Sequence, residues 1–423
     1  GAWCGQNKYW SAIKNAFQNF MPLTIAGAIG VLWCNVLVND QTGLGLFFKP
    51  IMALDFLNPA FQAVNFCTIS CITVGITLGI AQEIGVWNMG AERAGYIPGL
   101  VGLAAWLSVT NTSHMVDGAK EAFTGIAGNE LGATGLFTGM IIGVLSVELF
   151  CFFEKQDALK IKMPEQVPPG VARAFEVLVP ATITLIITAC IGSACYNLTG
   201  LYLNDVIKNG IQGPLGAVGA TIPGVMIIYL VIMLFWLVGI HGNNMLSAVK
   251  EALFTPLALE NVEAFNKGET PKNIINMYAL QMWGEFGGSG VTIGLVIAIM
   301  IFGKREDNKA IATLSLVPGL FNINETVTFG IPMVLNPILG IPFVVAPLVT
   351  IIIGYVLTVI GFCPVACLTV PWTTPPIVFG FLACGANVMG AVTQAILIVV
   401  STVIYVPFLI SYEKYQNKQA AEA

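Results

Sequence analysis

The chain has 423 residues, of which 56% are hydrophobic and only 10% are charged, and its formal net charge is -5. A soluble domain carries about 25% charged residues, so this composition cannot cover a water-facing surface and excludes an ordinary soluble protein. A nucleic-acid-binding domain would be strongly basic, so no nucleic-acid partner is expected. We therefore expect an all-α polytopic membrane protein.

Metal and redox chemistry find little support in the sequence. The chain has ten cysteines but no Cys-x-x-Cys pair, and it has only two histidines. A zinc site is therefore not expected. Because most of the cysteines lie in or beside apolar runs, we interpret them as small buried apolar residues. We expect no metal and no cofactor.

Apolar segments of roughly 18–25 residues are candidates for membrane-spanning helices. The first half of the chain contains five segments of this kind, at residues 20–38, 63–84, 96–109, 133–153 and 175–196. Basic residues concentrate at the N-terminal end and in the second and fourth loops, whereas the first and third loops hold only Lys49 and Lys120. The positive-inside rule then places the N-terminal end in the cytoplasm and the end of the fifth segment outside.

A glycine-rich stretch at 199–219 separates two halves of the chain. Its amphipathic part, around 201–207, predicts a helix on the membrane surface. We therefore expect an N-terminal transmembrane half at residues 1–198, an amphipathic linker at 199–220 and a C-terminal half at 221–423.

The second half is less regular than the first. Apolar runs predict spans at 222–240, from near 277 to 302, at 341–361 and at 388–410, and the loop charges require one more crossing at 244–259. Segments 310–337 and 363–385 carry too many proline and glycine residues to span, so we predict two re-entrant hairpins. The expected total is about ten transmembrane helices, two re-entrant hairpins and a surface amphipathic helix, with both chain ends cytoplasmic.

The stretch 321–342 places one carboxylate, Glu325, among three asparagines and four helix-breaking residues, Gly330, Pro332, Pro337 and Gly340. Irregular backbone inside a membrane persists only where protein or a water-filled cavity satisfies its polar groups. An ionisable residue there indicates a functional site. The alternative is a glutamate at a cytoplasmic loop tip, beside the basic run 304–309.

His241 lies in the sequence GIHGNN at the end of a predicted span. Its glycine neighbours allow the helix to break, and a neutral imidazole can donate one hydrogen bond and accept another, which suits a sugar hydroxyl. Asn243 and Asn324 become candidate sugar-binding residues because they lie near His241 and Glu325 in the sequence. The alternative for His241 is a surface histidine bound to a carbonyl, which is also our interpretation of His114.

Two further segments of the second half are candidates for the site. In GEFGGSG, Gly288 and Ser289 are predicted to turn backbone amides toward a ligand, with close helix packing as the alternative. This loop lacks the GK[ST] ending of a phosphate loop. In VPWTTPP, Trp372 offers an aromatic face for a sugar ring, with an interfacial tryptophan as the alternative.

Four motifs, in this order, carry a family resemblance: GIHGNN, FGGSGVTIGL, LVPGLFNINETVTFGIPMVLNPILGIPF and VPWTTPPIVFGFLACG. With the opening KYWSAIKNAFQNFMPLTIAGAI, they resemble enzyme IIC, the membrane subunit of bacterial sugar phosphotransferase systems. The branch they resemble is the lactose, cellobiose and diacetylchitobiose branch. Thr326 stands where the family usually has proline, and Glu285 and Phe286 stand where it usually has asparagine and isoleucine.

The resemblance implies a homodimer in the bacterial cytoplasmic membrane, surrounded by lipid. Its first half would make the subunit contact, and its second half would hold a disaccharide between two re-entrant hairpins. The soluble enzyme IIB, itself supplied by enzyme IIA, would carry a phosphocysteine and phosphorylate the sugar 6-hydroxyl. The family's sugar-binding histidine and glutamate correspond to His241 and Glu325, which we also expect to be the catalytic residues. Its PWTTPP tryptophan corresponds to Trp372.

Without the resemblance, the residues are compatible with other functions. No hydrolase constellation is evident, so covalent chemistry would need a partner or a bound cosubstrate. The resemblance implies that the chain takes part in sugar phosphotransfer while the phosphoryl donor residue lies on a partner subunit. An ion-coupled secondary sugar transporter with Glu325 as the ion site would need no partner protein. A membrane scaffold or receptor would use the broken segments only for packing.

Overall fold

The computed structural model describes residues 7–40, 44–46, 48–114, 123–164, 166–214, 219–331, 333 and 335–422. Pro332, residues 215–218 of the predicted linker and Lys120 lie outside the described residues. The helices of the first part of the chain are α1 (Lys8–Leu32), α2 (Asn58–Cys67), α3 (Ile72–Met89), α4 (Ala91–Ala94), α5 (Ile97–Val109), α6 (Gly128–Leu131), α7 (Ala133–Glu154), α8 (Pro169–Thr199) and α9 (Leu203–Ile207).

The second part of the chain is also built from helices, several of them short. They are α10 (Ile222–Leu237), α11 (Gly242–Met245), α12 (Ser247–Asn266), α13 (Met277–Gly284), α14 (Ile293–Phe302), α15 (Glu306–Leu320), α16 (Glu325–Gly330), α17 (Gly340–Val359), α18 (Val378–Ala383) and α19 (Val388–Glu422). The described strands are one antiparallel pair, β1 (Ser113–His114) with β2 (Phe123–Thr124). The prediction of an all-α protein is confirmed.

Several helices are long and apolar enough to cross a membrane. Within the described ranges there are six of them, or seven if α13 and α14, which meet at a 60° bend, count as one broken span. Helices α5 and α10 are apolar but shorter. Large apolar side chains such as Leu145, Ile186 and Val403 are exposed on the helix flanks, as expected where the solvent is lipid rather than water. The total of about ten crossings stays a prediction.

Helix ends follow the local sequence. Helix α8 begins at the Pro168-Pro169 pair and ends before Gly200, which adopts a left-handed φ of +71°, because proline suits a first turn and glycine a C-terminal cap. Helix α10 begins after Thr221, whose hydroxyl accepts a hydrogen bond from the Gly224 backbone N–H at 3.2 Å.

The described residues form two compact units, which are considered separately. One unit comprises 2–26 and 66–215, and the other comprises 27–65 and 216–423. Segment 27–65 thus groups with the second half of the chain, whereas the sequence analysis placed it in the first.

The unit that contains 66–215 packs α3, α5, α7 and α8 around a core with Trp106 and Ile142. Polar pairs join its helices. Lys8 and Glu148 form an ion pair at 2.6 Å, and Glu83 accepts a hydrogen bond from Asn15 at 2.9 Å. Glu148 therefore makes an ion pair within the chain.

The unit that contains 216–423 has a larger core, which runs through α10, α12, α13, α14, α17 and α19. Tyr229, Phe254 and Phe343 are almost fully buried there. Of the two segments predicted as hairpins, 310–337 contains most of α15 and a separate α16, and 363–385 contains only the short α18. Neither segment is a continuous span in the described part of the chain.

Some local predictions were wrong. Residues 49–67 are helical, as a 3-10 helix at Lys49–Leu57 followed by α2, although the sequence analysis started its second span only at 63. Cys67 and Cys190 are exposed rather than buried, whereas Cys151, Cys363 and Cys384 are buried as expected. The exposed thiols lie on apolar helices, where a lipid-facing position needs no protein cover.

Candidate functional site

The chain turns sharply between α10 and α11, where Gly239 has a φ of +80°. His241 then caps α11, because its Nδ1 accepts a hydrogen bond from the Asn244 backbone N–H at 3.2 Å. A ring nitrogen that accepts carries no proton, so the proton of the neutral imidazole lies on Nε2. The ring also packs against Trp236, with centroids 4.4 Å apart. These contacts fix the ring and make Nε2 its donor.

Glu325 begins α16, after the turn that follows α15. Its Oε1 lies 3.8 Å from Nε2 of His241, and the two side chains are 48% and 36% exposed. Hydrogen bonds to nitrogen donors span about 2.7–3.2 Å, so the two groups do not bond directly. A donor and a carboxylate acceptor thus face one another across a gap that one hydroxyl group can bridge.

The loop at residues 285–292 between α13 and α14, called the glycine loop here, supports the segments that carry His241 and Glu325. Ser289 accepts a hydrogen bond from Nδ2 of Asn243 at 2.8 Å through its hydroxyl, and another from Nδ2 of Asn324 at 2.8 Å through its carbonyl. Asn243 follows His241 by two residues, and Asn324 directly precedes Glu325. The loop therefore ties the two candidate sugar-binding segments together.

Gly288 has no acceptable substitute in this loop. Its φ is +88°, and a Cβ added there would lie 2.6 Å from the Cβ of Asn324. Gly288, Ser289 and Asn324 thus form a tight buried frame. The side chains of Ser289 and Asn324 are almost fully buried. Direct sugar contact by these two residues stays a prediction.

Asn322 is a residue that the sequence analysis did not place in the site. Its Oδ1 accepts a hydrogen bond from the Gly287 backbone N–H at 2.7 Å, and its Nδ2 donates to the carbonyls of Trp372 and Thr374. Asn322 also has a φ of +63°, a conformation that asparagine tolerates better than most residues. The sequence shows an asparagine in a turn, which is a signal for a residue with a special backbone conformation. Its hydrogen-bond partners could not be predicted, because they lie 35 to 52 residues away in the sequence.

Trp372 lies in the irregular segment before α18 and is 43% exposed. Its own carbonyl is held by Asn322. The segment is fastened at its end by Gln394, whose Oε1 accepts hydrogen bonds from the backbone N–H groups of Ile377 at 2.7 Å and Gly380 at 2.8 Å. A partly exposed indole on fastened, non-helical backbone suits stacking against a sugar ring.

A buried ion pair lies behind this frame. Lys250 of α12 pairs with Glu285 at the end of α13, and Tyr229 of α10 donates to Oε1 of the same carboxylate at 2.6 Å. Nζ of Lys250 also donates to Oδ1 of Asn243 at 3.2 Å. Lys250 is not among the site residues predicted from the sequence, although a cation close to the GIHGNN motif was a visible signal.

Metal ligands do not gather in the described ranges. No group of three or more His, Cys, Asp and Glu side chains there could hold a metal ion. His114, the other histidine, lies 3.2 Å by its Nε2 from the carbonyl of Asn111, outside the unit that holds His241.

Comparisons with known proteins identify the family. The model of the family "Phosphotransferase system, EIIC" matches residues 14–347. The chain is 33% identical to the oligo-beta-mannoside-specific EIIC component of Bacillus subtilis (strain 168), over 96% of this chain and 90% of that protein. It is 30% identical to the cellobiose-specific EIIC component of Lactococcus lactis subsp. lactis (strain IL1403), over 98% of this chain and 96% of that protein.

A solved structure of an IIC component also matches this chain. The crystal structure of the transporter ChbC, the IIC component of the N,N'-diacetylchitobiose-specific phosphotransferase system, superposes with a TM-score of 0.90 at 29% identity. The alignment covers 99% of this chain and 97% of that one. The resemblance seen in the motifs is thereby confirmed over nearly the whole chain. The protein belongs to the EIIC family of the phosphotransferase system and is a multi-pass sugar permease of the cell membrane.

Proposed function

We propose that this permease binds a disaccharide of the cellobiose, diacetylchitobiose or lactose type and carries it inward while a partner phosphorylates its 6-hydroxyl. The observation that carries the proposal is the facing pair of Nε2 of His241 and Oε1 of Glu325, 3.8 Å apart on a fixed frame. A sugar hydroxyl between them would accept from the imidazole and donate to the carboxylate. Related EIIC components specific for cellobiose and diacetylchitobiose support the substrate class.

The carboxylate gives the site a chemical role beyond binding. Glu325 holds the hydroxyl oxygen in place and can take its proton as the phosphoryl group arrives. The donor is the phosphocysteine of enzyme IIB, which approaches from the cytoplasm and is recharged by enzyme IIA. The phosphorylated sugar carries negative charge, so it does not return across the apolar pathway. Once Glu325 has passed this proton to water, repulsion between its carboxylate and the sugar phosphate favours release of the product.

The remaining residues have supporting roles. Trp372 stacks on a sugar ring, and Asn243, Gly288, Ser289 and Asn324 shape the polar wall of the site. Residues 1–198 make the contact of a homodimer, 199–220 form a surface linker, and 221–423 carry the sugar. Both ends of the chain face the cytoplasm, in accordance with the distribution of basic residues.

Sugar uptake into proteoliposomes tests the function. Vesicles are loaded with phosphorylated enzyme IIB or with buffer, and labelled cellobiose, diacetylchitobiose and lactose are supplied outside. We expect phosphorylated sugar to accumulate only in the vesicles that contain the phosphorylated partner. Free sugar driven by a proton or sodium gradient would establish the ion-coupled alternative with Glu325 as the ion site. No uptake under either condition would favour a scaffold or receptor.

A further inference from the structure

The ion pair Lys250–Glu285 has no part in the function proposed above, yet it lies directly behind the site. The Lys250 side chain is 7% exposed and the Glu285 side chain is 17% exposed. An unpaired charge in this position would be costly in a membrane protein, and a pair is tolerated only when its remaining hydrogen-bonding groups are satisfied.

The structure supplies those additional partners. Tyr229 donates to the Glu285 carboxylate at 2.6 Å, and its ring centroid lies 5.6 Å from Nζ of Lys250. Tyr229, Lys250 and Glu285 belong to α10, α12 and the end of α13. The pair therefore fixes the mutual positions of three elements next to the glycine loop.

The contact that matters for the site is the one from Lys250 to Asn243, at 3.2 Å. An ammonium group is a donor only, so it must face the carbonyl oxygen of the Asn243 amide. The NH2 group of that amide then points to Ser289, to which it donates at 2.8 Å. Lys250 thus orients the Asn243 amide so that its NH2 group faces the glycine loop. The same loop accepts a hydrogen bond from Asn324, the residue before Glu325.

We infer that Lys250 and Glu285 are a positioning pair: they orient the Asn243 amide and so hold the glycine loop that joins the His241 and Glu325 segments. The inference rests on the proposed function for its effect on sugar, since it deepens the account of the same site. Among the described residues, the side-chain hydrogen bond from Lys250 to a candidate sugar-binding residue is the one to Asn243. Its charge is held in place by Glu285, and the specificity for sugar hydroxyls depends on the frame that results.

The test separates positioning from stability. The single change Lys250→Met leaves a buried carboxylate unpaired and can prevent folding, so the informative variant is Lys250→Met with Glu285→Gln. This variant removes both charges and keeps an acceptor for Tyr229, and neutral replacement of a buried pair is often close to neutral for stability. We expect its thermal midpoint to stay near that of the wild type while its affinity for cellobiose falls about tenfold.

A variant cycle identifies the route of the effect. Asn243→Ala should weaken binding, and adding the neutral pair changes to it should weaken binding no further, because the pair acts on the site through that amide. Effects that multiply, or a neutral pair variant that binds within twofold of the wild type, would overturn the inference. The matched control removes the ion pair of the other unit, with Lys8→Met and Glu148→Gln, and should leave affinity unchanged.

A second measurement needs no sugar. Amide hydrogen exchange of residues 287–291 should be about tenfold faster in the neutral pair variant than in the wild type, and unchanged in the Lys8 and Glu148 control. Unchanged exchange in the neutral pair variant would reject the positioning role. If the wild-type protein bound none of the three disaccharides, the proposed function would fail, while the exchange data would still decide whether the pair positions the loop.

Discussion

At the residue scale, the site combines two partly exposed polar side chains with a buried frame that holds them. His241 is fixed by its cap hydrogen bond and by Trp236. Glu325 follows Asn324, which is bonded to the glycine loop. The His241 ring is held before sugar binds, so binding costs it little side-chain entropy.

Glu325→Gln should abolish sugar phosphorylation, with a fall of at least about 100-fold, because the amide keeps the shape of the carboxylate but cannot take a proton. Sugar binding should weaken as well, since a charged acceptor makes a stronger hydrogen bond than an amide. Phosphorylated cellobiose is measured with purified variant and phosphorylated enzyme IIB. The exposed Glu269 supplies the control Glu269→Gln. Phosphorylation by Glu325→Gln at the wild-type rate would reject the catalytic role.

His241→Ala should weaken sugar binding by about 1–3 kcal/mol, because a polar group of the bound sugar loses its partner. This cost corresponds to about a 5- to 150-fold rise in Kd. Equilibrium binding to detergent-purified protein measures it. His114→Ala is the matched control, since this histidine lies in the other unit. An equal Kd for wild type and His241→Ala would leave His241 as a helix cap alone.

At the element scale, the entry to α15 is held by the last helix. Glu413 of α19 is 5% exposed and accepts hydrogen bonds from the backbone N–H groups of Lys304 at 2.8 Å and Arg305 at 3.3 Å. Arg305 also bonds Asp307 and thereby lowers the pKa of that carboxyl below its ordinary value. Because α15 leads to Glu325, this contact sets where the segment that carries Glu325 begins.

Glu413→Gln should loosen this connection, because one carboxylate oxygen is replaced by an NH2 group that faces other donors. Loss of hydrogen bonds to a charged group costs about 1.5–3 kcal/mol. Trypsin cleavage after Lys304 and Arg305 should become faster in the native protein. Glu422→Gln on the same helix is the control, since Glu422 is exposed and pairs only weakly with Lys418, at 3.8 Å. Equal cleavage rates in Glu413→Gln and wild type would contradict the prediction.

At the scale of the whole molecule, the charge distribution predicts the orientation in the membrane. A peptide tag inserted after Lys160, in the predicted fourth loop, should be accessible to antibody only after the cells are permeabilised. A tag inserted after Gly125, in the predicted third loop, should be accessible in intact spheroplasts, because the third loop carries few basic residues. Both tagged proteins must retain sugar uptake. Accessibility in the reverse pattern would invert the predicted topology.

The homodimer is the second prediction at this scale. The chain has a mass of 45.0 kDa, so light scattering of the detergent-purified protein, corrected for bound detergent, should give twice this value. Exposed apolar helix flanks need either lipid or another subunit as cover. A single-chain mass at all protein concentrations, with sugar binding intact, would rule out a dimer as a requirement for binding.

The sequence by itself determined the membrane class, because long apolar runs with few charges are a local property that no tertiary contact can reverse. It also determined which segments are irregular, since proline and glycine act on their own backbone. His241, Glu325 and Trp372 were selectable on the same ground, as polar or aromatic residues on interrupted backbone. The predicted bounds of the helices were less accurate where helix propensity is weak. At residues 49–67 the helical segment begins well before the predicted start at residue 63.

Only the tertiary structure decided how these residues are held. Asn322 bonds both the glycine loop and the segment that carries Trp372. Lys250 bonds Asn243, which is near it in the sequence, and Glu285, which is 35 residues away. A single sequence shows donors and acceptors but not their pairing, because the pairing depends on the packing of α10, α12 and α13 against one another. The same limit applies to Ser289 and Asn324, which are buried because the hydrogen bond between them crosses from one segment of the chain to another.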